Sequence, residues 1–161
     1  MPAPIPAVVF ATTNPDKIRE VAALLRHVPV AVRTLADWPA LAEPEETGDT
    51  FEANARLKAR YYAAAVPGVV VSEDSGLEID ALGGEPGVRS ARYLSPTASY
   101  PERFADIFRR LDGVADERRT ARFVCAVAVA QAGEVLFETR GTVEGRIARA
   151  AAGSAGFGYD P

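Results

Sequence analysis

Apolar residues in this chain fall into short runs separated by polar, glycine- or proline-containing stretches. Residues 7–11 (Ala-Val-Val-Phe-Ala) form a run of the kind that makes a buried strand. Beyond it, Ile18, Val21, Ala22 and Leu25 recur at helical spacing and predict an amphipathic helix from Pro15 to about His27. Asn14 suits the cap of that helix, and Pro15 its first position, where a missing N–H costs nothing. Asp16 is favourable against the helix dipole. Pro29 stops the helix, and residues 30–34 predict a second strand. Strand, turn, helix, strand is the opening of an α/β fold.

A second helix is predicted from Thr50 to about Ala65, capped by Asp49 or Thr50, with Ala53, Leu57, Tyr61 and Ala64 as its core stripe. Glu52, Arg56 and Arg60, four apart, predict ion pairs along one exposed stripe. Asn54 and Lys58 lie on another face. Pro67-Gly68 ends the helix. Val69-Val70-Val71 predicts a strand running into an acidic turn, Ser72 to Gly76, with residues 77–82 as a short return strand and Gly83 to Gly87 as a loop. A third helix is predicted over Tyr100 to Leu111. Residues 122–130 predict the longest strand, with Phe123, Cys125, Val127 and Val129 on one face and Val124, Ala126 and Ala128 on the other. Two apolar faces describe a central strand covered on both sides. Gln131-Ala132-Gly133 predicts a hairpin turn into a strand over 134–143. Residues 151–161 read as a glycine-rich loop with no element to dock after it, which points to a longer natural protein.

Composition narrows the class. The chain has 161 residues, 48% hydrophobic and 25% charged, the mix of one soluble globular domain. One cysteine excludes an internal disulfide framework and a Cys-rich zinc site, and Cys125 reads as a small core residue. The single histidine, His27, is expected exposed near the end of the first helix; it rules out His-based metal clusters and argues against a Ser-His-Asp triad. A net charge of −4 with no basic block argues against long nucleic acid, though not against a single nucleotide. No apolar run approaches the roughly 20 residues that cross a bilayer, and the start lacks a signal peptide. No membrane association is expected, and the cytoplasm is the expected location. Of 18 basic residues only Lys17 and Lys58 are lysines, so what surrounds each is of interest.

Five segments carry candidate chemistry. Thr12, Thr13, Asn14, Pro15, Asp16 and Lys17 form a strand-to-helix turn whose N–H groups and lysine could hold phosphate, although an ordinary capped helix uses the same residues. Glu43, Glu45, Glu46 and Asp49 form an acidic loop that suits Mg²⁺ or simply solvent. Asn54 and Lys58 could hold phosphate from the second helix. Glu73-Asp74-Ser75-Gly76 suits a metal and a water nucleophile beyond a strand end, or is a bare acidic turn. Gly156-Phe157-Gly158-Tyr159-Asp160 could stack on a flat ligand and accept hydrogen bonds from it. Together they describe a nucleotide site with hydrolytic chemistry.

These segments, with Gly83-Gly84-Glu85-Pro86-Gly87-Val88 and Ser90-Ala91-Arg92-Tyr93, closely resemble the inosine triphosphate pyrophosphatase family, the dITP/XTP pyrophosphatases of bacteria, from about residue 7 to 161 and in family order. The resemblance implies a mixed, elongated central sheet flanked by helices, two lobes with a central cleft, and a homodimer. It implies Mg²⁺-dependent hydrolysis of ITP, dITP and XTP to monophosphate and pyrophosphate. Thr12, Thr13, Asn14 and Lys17 would bind the triphosphate, with Lys58 also reaching phosphate. Glu45 and Asp74 would hold magnesium, with Glu46 and Glu73 close by, and Asp74 would be the base for the attacking water. Ser75 would contact substrate, and Phe157, Gly158, Tyr159 and Asp160 the base. The family usually has glycine at the position of Thr13 and often Asp-Asp at Glu73-Asp74. Members continue past Pro161 with a lysine, a Ser-His-Arg motif and a closing helix. The expectation is therefore a single domain over 1–161 lacking its C-terminal segment. A nucleotide-binding module with impaired catalysis, and a pyrophosphatase for modified pyrimidines, are the alternatives.

Overall fold

A computed structural model describes residues 6–160. Strands β1 (Ala7–Phe10), β2 (Ala31–Thr34), β3 (Val69–Ile79), β4 (Thr120–Gln131) and β5 (Glu134–Arg146) and helices α1 (Pro15–Leu24), α2 (Phe51–Ala65) and α3 (Tyr100–Arg110) form an α/β fold. The strands make one mixed sheet in the order β2-β1-β3-β4-β5. β1 is parallel to both neighbours, with Ala7 opposite Ala31 and Val8 opposite Val69. β4 and β5 are joined by Ala132 and Gly133, both at positive φ, and a two-residue turn can join only antiparallel strands.

The chain divides into two compact units. The first holds the described residues up to Asp74 together with Ala126–Arg140. Its core is Val9, Phe10, Val70 and the alternate residues Ala126, Ala128 and Ala130 of the sheet, with Phe51, Ala55, Ala59, Tyr62 and Ala63 of α2. The second holds Ser75–Cys125 and the described residues from Gly141. Leu77, Ile79, Ile107, Leu111 and Ala121 form its core, with Tyr93, Ile147 and Tyr159 packed against them.

Local chemistry fixes the helix starts as expected. Asn14 Oδ1 accepts from the N–H groups of Asp16 and Lys17 at the head of α1. Thr50 Oγ1 accepts from Ala53 N–H at the head of α2. Ser99 and Glu102 form a reciprocal capping box on α3.

Four expectations are corrected. The core stripe of α2 is the alanine row Ala55, Ala59 and Ala63 with Phe51 and Tyr62, whereas Ala53 and Leu57 are half-buried and Tyr61 and Ala64 exposed. Small side chains suit a helix lying close on a sheet; the larger Leu57 and Tyr61 mark the wrong face. The exposed charges of α2 pair across to β5 rather than along the helix: Arg56 with Glu138 at 2.7 Å and Glu52 with Arg140 at 2.8 Å. The acidic stretch 72–76 is not a turn but the middle of the unbroken strand β3. Gly76 belongs there because any Cβ would collide with Ser90 Oγ, which accepts the N–H of Leu77 at 2.9 Å. Finally, β4 is covered unequally: on its second face Val127 and Val129 are only half-buried. Val124, Ala126 and Ala128 are buried, but Phe123 is 38% exposed and Cys125 is a surface residue, not a core one.

Candidate active site

In the first unit, α1, α2 and β3 bring most of the predicted phosphate and metal residues together. The adjacent acids of β3 have different partners. Glu73 is 8% exposed and pairs with Lys17 of α1, Nζ to Oε1 at 2.5 Å. Asp74 is 6% exposed and accepts from Asn54 Nδ2 of α2 at 3.1 Å. One turn further along α2, Lys58 pairs with Glu46 of the acidic loop at 2.6 Å. Both lysines of the chain therefore sit on carboxylates of this cluster.

The charges are strongly coupled. Burial pushes the Asp74 carboxyl up to about 6; Lys58 opposes that rise, Glu46 and Glu73 add to it, and the Asn54 hydrogen bond opposes it. A carboxyl near neutrality can exchange a proton at working pH.

At the head of α1, Thr12 Oγ1 accepts from Asn14 N–H at 3.1 Å, and Asn14 Oδ1 takes the N–H groups of Asp16 at 2.9 Å and Lys17 at 3.3 Å. Thr12 and Asn14 are half-buried and Thr13 is exposed. Glu45 is exposed, and its neighbour Glu46 is the loop acid that reaches Lys58 and acts on Asp74. Asn54, expected beside Lys58 as a substrate contact, is instead fully buried, with both ends of its amide engaged.

Among the described residues no group of three or more His, Cys, Asp or Glu side chains is arranged to hold a metal ion. The donors nonetheless fit magnesium. Mg²⁺ is a hard cation that takes one or two carboxylates and completes its shell with water and phosphate oxygens. A carboxyl raised by burial, and further by its acidic neighbours Glu46 and Glu73, is an environment that a cation relieves.

In the second unit, Ser75 is half-buried. Phe157 and Asp160 close a turn on themselves: Phe157 N–H donates to Asp160 Oδ2 at 3.1 Å, and Asp160 N–H to Phe157 O at 3.2 Å. Gly158 lies between them at φ +66°. Tyr159 is anchored in the core. Its hydroxyl donates to Ser90 O at 2.7 Å, its ring meets Tyr100 edge-on at 5.2 Å, and burial pushes its phenol up to about 12. A groove of about 290 Å³, lined in part by Leu77, Phe104, Ile107, Phe123, Tyr159 and Asp160, opens beside this turn.

Sequence reasoning missed three polar groups. Ser72 is fully buried beside Glu73, and its Oγ has no hydrogen-bond partner. Gly48 donates its N–H to Asn54 Oδ1 at 2.7 Å. Arg103 is buried in α3 with its guanidinium on the carbonyls of Ser90 and Ser95. A buried arginine in a helix otherwise rich in exposed charge leaves no periodic signal.

The Ham1 family matches residues 8–161. A dITP/XTP pyrophosphatase of Geobacillus kaustophilus is 47% identical over 154 residues, covering 96% of this chain and 76% of that protein. The enzyme of the same name from Bacillus subtilis is 45% identical over 153 residues, covering 95% and 77%. Among solved structures, a HAM1 protein from Coxiella burnetii superposes with a TM-score of 0.86 at 36% identity, covering 97% of this chain and 80% of its own. A nucleoside-triphosphatase, dITP/XTP pyrophosphatase, of Mycobacterium abscessus gives 0.79 at 39% identity, covering 96% and 81%. With its lysines, its buried acids and its fold all in place, this chain belongs to the Ham1 family.

Proposed function

We propose that this protein is a nucleoside triphosphate pyrophosphatase that hydrolyses the non-standard purine nucleotides ITP, dITP and XTP to monophosphate and pyrophosphate. The observation that carries the reading is the placement of both lysines on the buried and half-buried carboxylates of a single cluster. Such a cluster can exchange its internal ion pairs for a cation and a phosphate chain. The relatives' activity supports the choice of reaction.

Asp74 orients water and accepts its proton as the water oxygen attacks the α-phosphorus and the bond to the pyrophosphate oxygen breaks. In the metal-free protein burial raises that carboxyl above its ordinary range, which strengthens it as a proton acceptor. Lys58 and Lys17 leave Glu46 and Glu73 to take charge building on the phosphate oxygens. Thr12, Thr13 and Asn14 hold the triphosphate at the head of α1, where N–H groups and the helix dipole favour anions. Asp74 with Glu45 or Glu46, and with Glu73 nearby, would hold Mg²⁺, which would supply neutralisation of the phosphate charge. Ser75, Phe157, Gly158, Tyr159 and Asp160 would make the remaining substrate contacts. The proposal includes a homodimer, tested by light scattering, and a cytoplasmic location.

The test is a panel of ITP, dITP, XTP, GTP, ATP and modified pyrimidine triphosphates, read as pyrophosphate release with and without Mg²⁺. Rapid release from the inosine and xanthosine nucleotides with Mg²⁺ is expected. Calorimetric binding of ITP without release would identify a binding module instead. Preference for the pyrimidines would identify the other pyrophosphatase class.

A further inference from the structure

We propose that Asn54 is the positioning residue of this site: its amide ties the acidic loop, at Gly48, to the Asp74 carboxylate. The proposal rests on the functional reading above and deepens it.

Asn54 is 0% exposed, and a buried amide is costly unless its polar atoms are satisfied. Here each end has a partner of the matching kind. Oδ1 accepts Gly48 N–H at 2.7 Å, and Nδ2 donates to Asp74 Oδ2 at 3.1 Å. Those partners lie six residues before it and twenty residues after it. Chemistry fixes the orientation: a flipped amide would set donor against N–H and oxygen against carboxylate. The side chain is thus fully engaged within the protein. Its work is to hold two other groups at a fixed separation.

Gly48 is shaped to this contact. A Cβ there would lie 2.6 Å from Asn54 Oδ1, 2.8 Å from Ala53 Cβ and 3.0 Å from Asn54 N. Any other residue must push the loop off the helix. Two residues upstream, Glu46 holds Lys58, so a displaced loop carries that ion pair with it. Asn54 therefore sets Asp74, Glu46 and Lys58 relative to one another although it touches none of the reacting atoms. Groups in this outer position are worth much in metal sites because they orient the ligands.

The experiment compares wild type with Asn54→Ala and Gly48→Ala. The readouts are kcat and KM for ITP, Mg²⁺ affinity by calorimetry on nucleotide-free protein, and amide exchange over residues 45–49. Asn54→Ala is expected to lower both kcat and Mg²⁺ affinity by roughly 10- to 100-fold, to move KM much less, and to speed exchange of the Gly48 amide. Gly48→Ala is expected to move the same quantities in the same direction, and it carries the test if Asn54→Ala does not fold. Variants that lose only thermal stability, with kcat and Mg²⁺ affinity within about twofold of wild type, would overturn the proposal. A wild-type protein inactive on the nucleotide panel would overturn the functional reading instead; unchanged exchange at Gly48 in Asn54→Ala would still overturn this one.

Discussion

Both units bury charge, but of opposite sign and in opposite ways. The first buries the carboxylates Glu73 and Asp74, met by a lysine side chain and a carboxamide. The second buries the guanidinium groups of Arg103 and Arg119, each 3% exposed, and meets them with main-chain carbonyls. Arg119 reaches Leu111, Ile147 and Ala148 at 3.0 Å each. A carbonyl cannot leave its place in the backbone, so an arginine bound to three of them is scaffold. A lysine on a flexible stem can trade one anion for another. The contrast separates machinery from frame without reference to any relative. Substitutions of the first unit's buried acids and their lysines should strike turnover, and those of the second unit's buried arginines should strike stability.

The sharpest way to break the comparison is Asp74→Asn. The amide keeps the shape and can still bond Asn54, so the fold should survive. Without a proton acceptor, kcat should fall about 10²- to 10⁴-fold. Pyrophosphate release under saturating ITP and Mg²⁺ measures it; full activity would remove Asp74 from the mechanism.

The first unit's lysines and acids were legible in the sequence, the second unit's buried arginines were not, and the failures were systematic. The caps of α1 and α2 and the length of α3 were readable because capping and periodicity are local. The lysines stood out because the other sixteen basic residues are arginines. The course of β3 was not readable. Ser-Glu-Asp-Ser-Gly carries every turn signal, yet it pairs within the sheet because Lys17, Asn54 and Ser90 satisfy or accommodate its side chains from distant parts of the chain. Tertiary partners overrode local propensity there. The internal partners of Asn54 and Tyr159 were not readable for the same reason: a motif identifies a residue, and only packing shows what it holds within the protein.

The two lysines sharpen the contrast next. Lys17→Ala and Lys58→Ala should each reduce kcat/KM for ITP by about 100-fold, since each removes a cation from the phosphate chain. Their stability effects should differ. Glu73 is more deeply buried than Glu46, so losing Lys17 strips a cationic partner from a buried carboxylate and should cost on the order of 1–3 kcal/mol. Denaturant midpoints compare the pair; equal losses would mean that burial of Glu73 does not matter.

Asp74 also sets a pH signature. Its carboxyl is raised from 3.8 to about 6 on folding, so between those values the native protein binds the proton more tightly than the unfolded chain does. Metal-free protein should therefore lose stability as pH rises through that window, by a few kcal/mol at most. Melting curves from pH 4 to 7 test the effect, and Asp74→Asn should flatten the slope.

The smallest effect belongs to the second unit and is the most discriminating. Tyr159→Phe removes only the hydroxyl that donates to Ser90 O and keeps the ring against Tyr100 and Phe104. Arg103 also binds that carbonyl, so it retains a donor. The loss should be about 1 kcal/mol of stability with kcat unchanged. Phe157→Ala, on the same turn but without such an anchor, should raise KM for ITP while leaving the denaturation midpoint nearly fixed. If Tyr159→Phe instead cut turnover as deeply as a lysine variant, its hydroxyl would be working on substrate, and the division of labour between the units would fail.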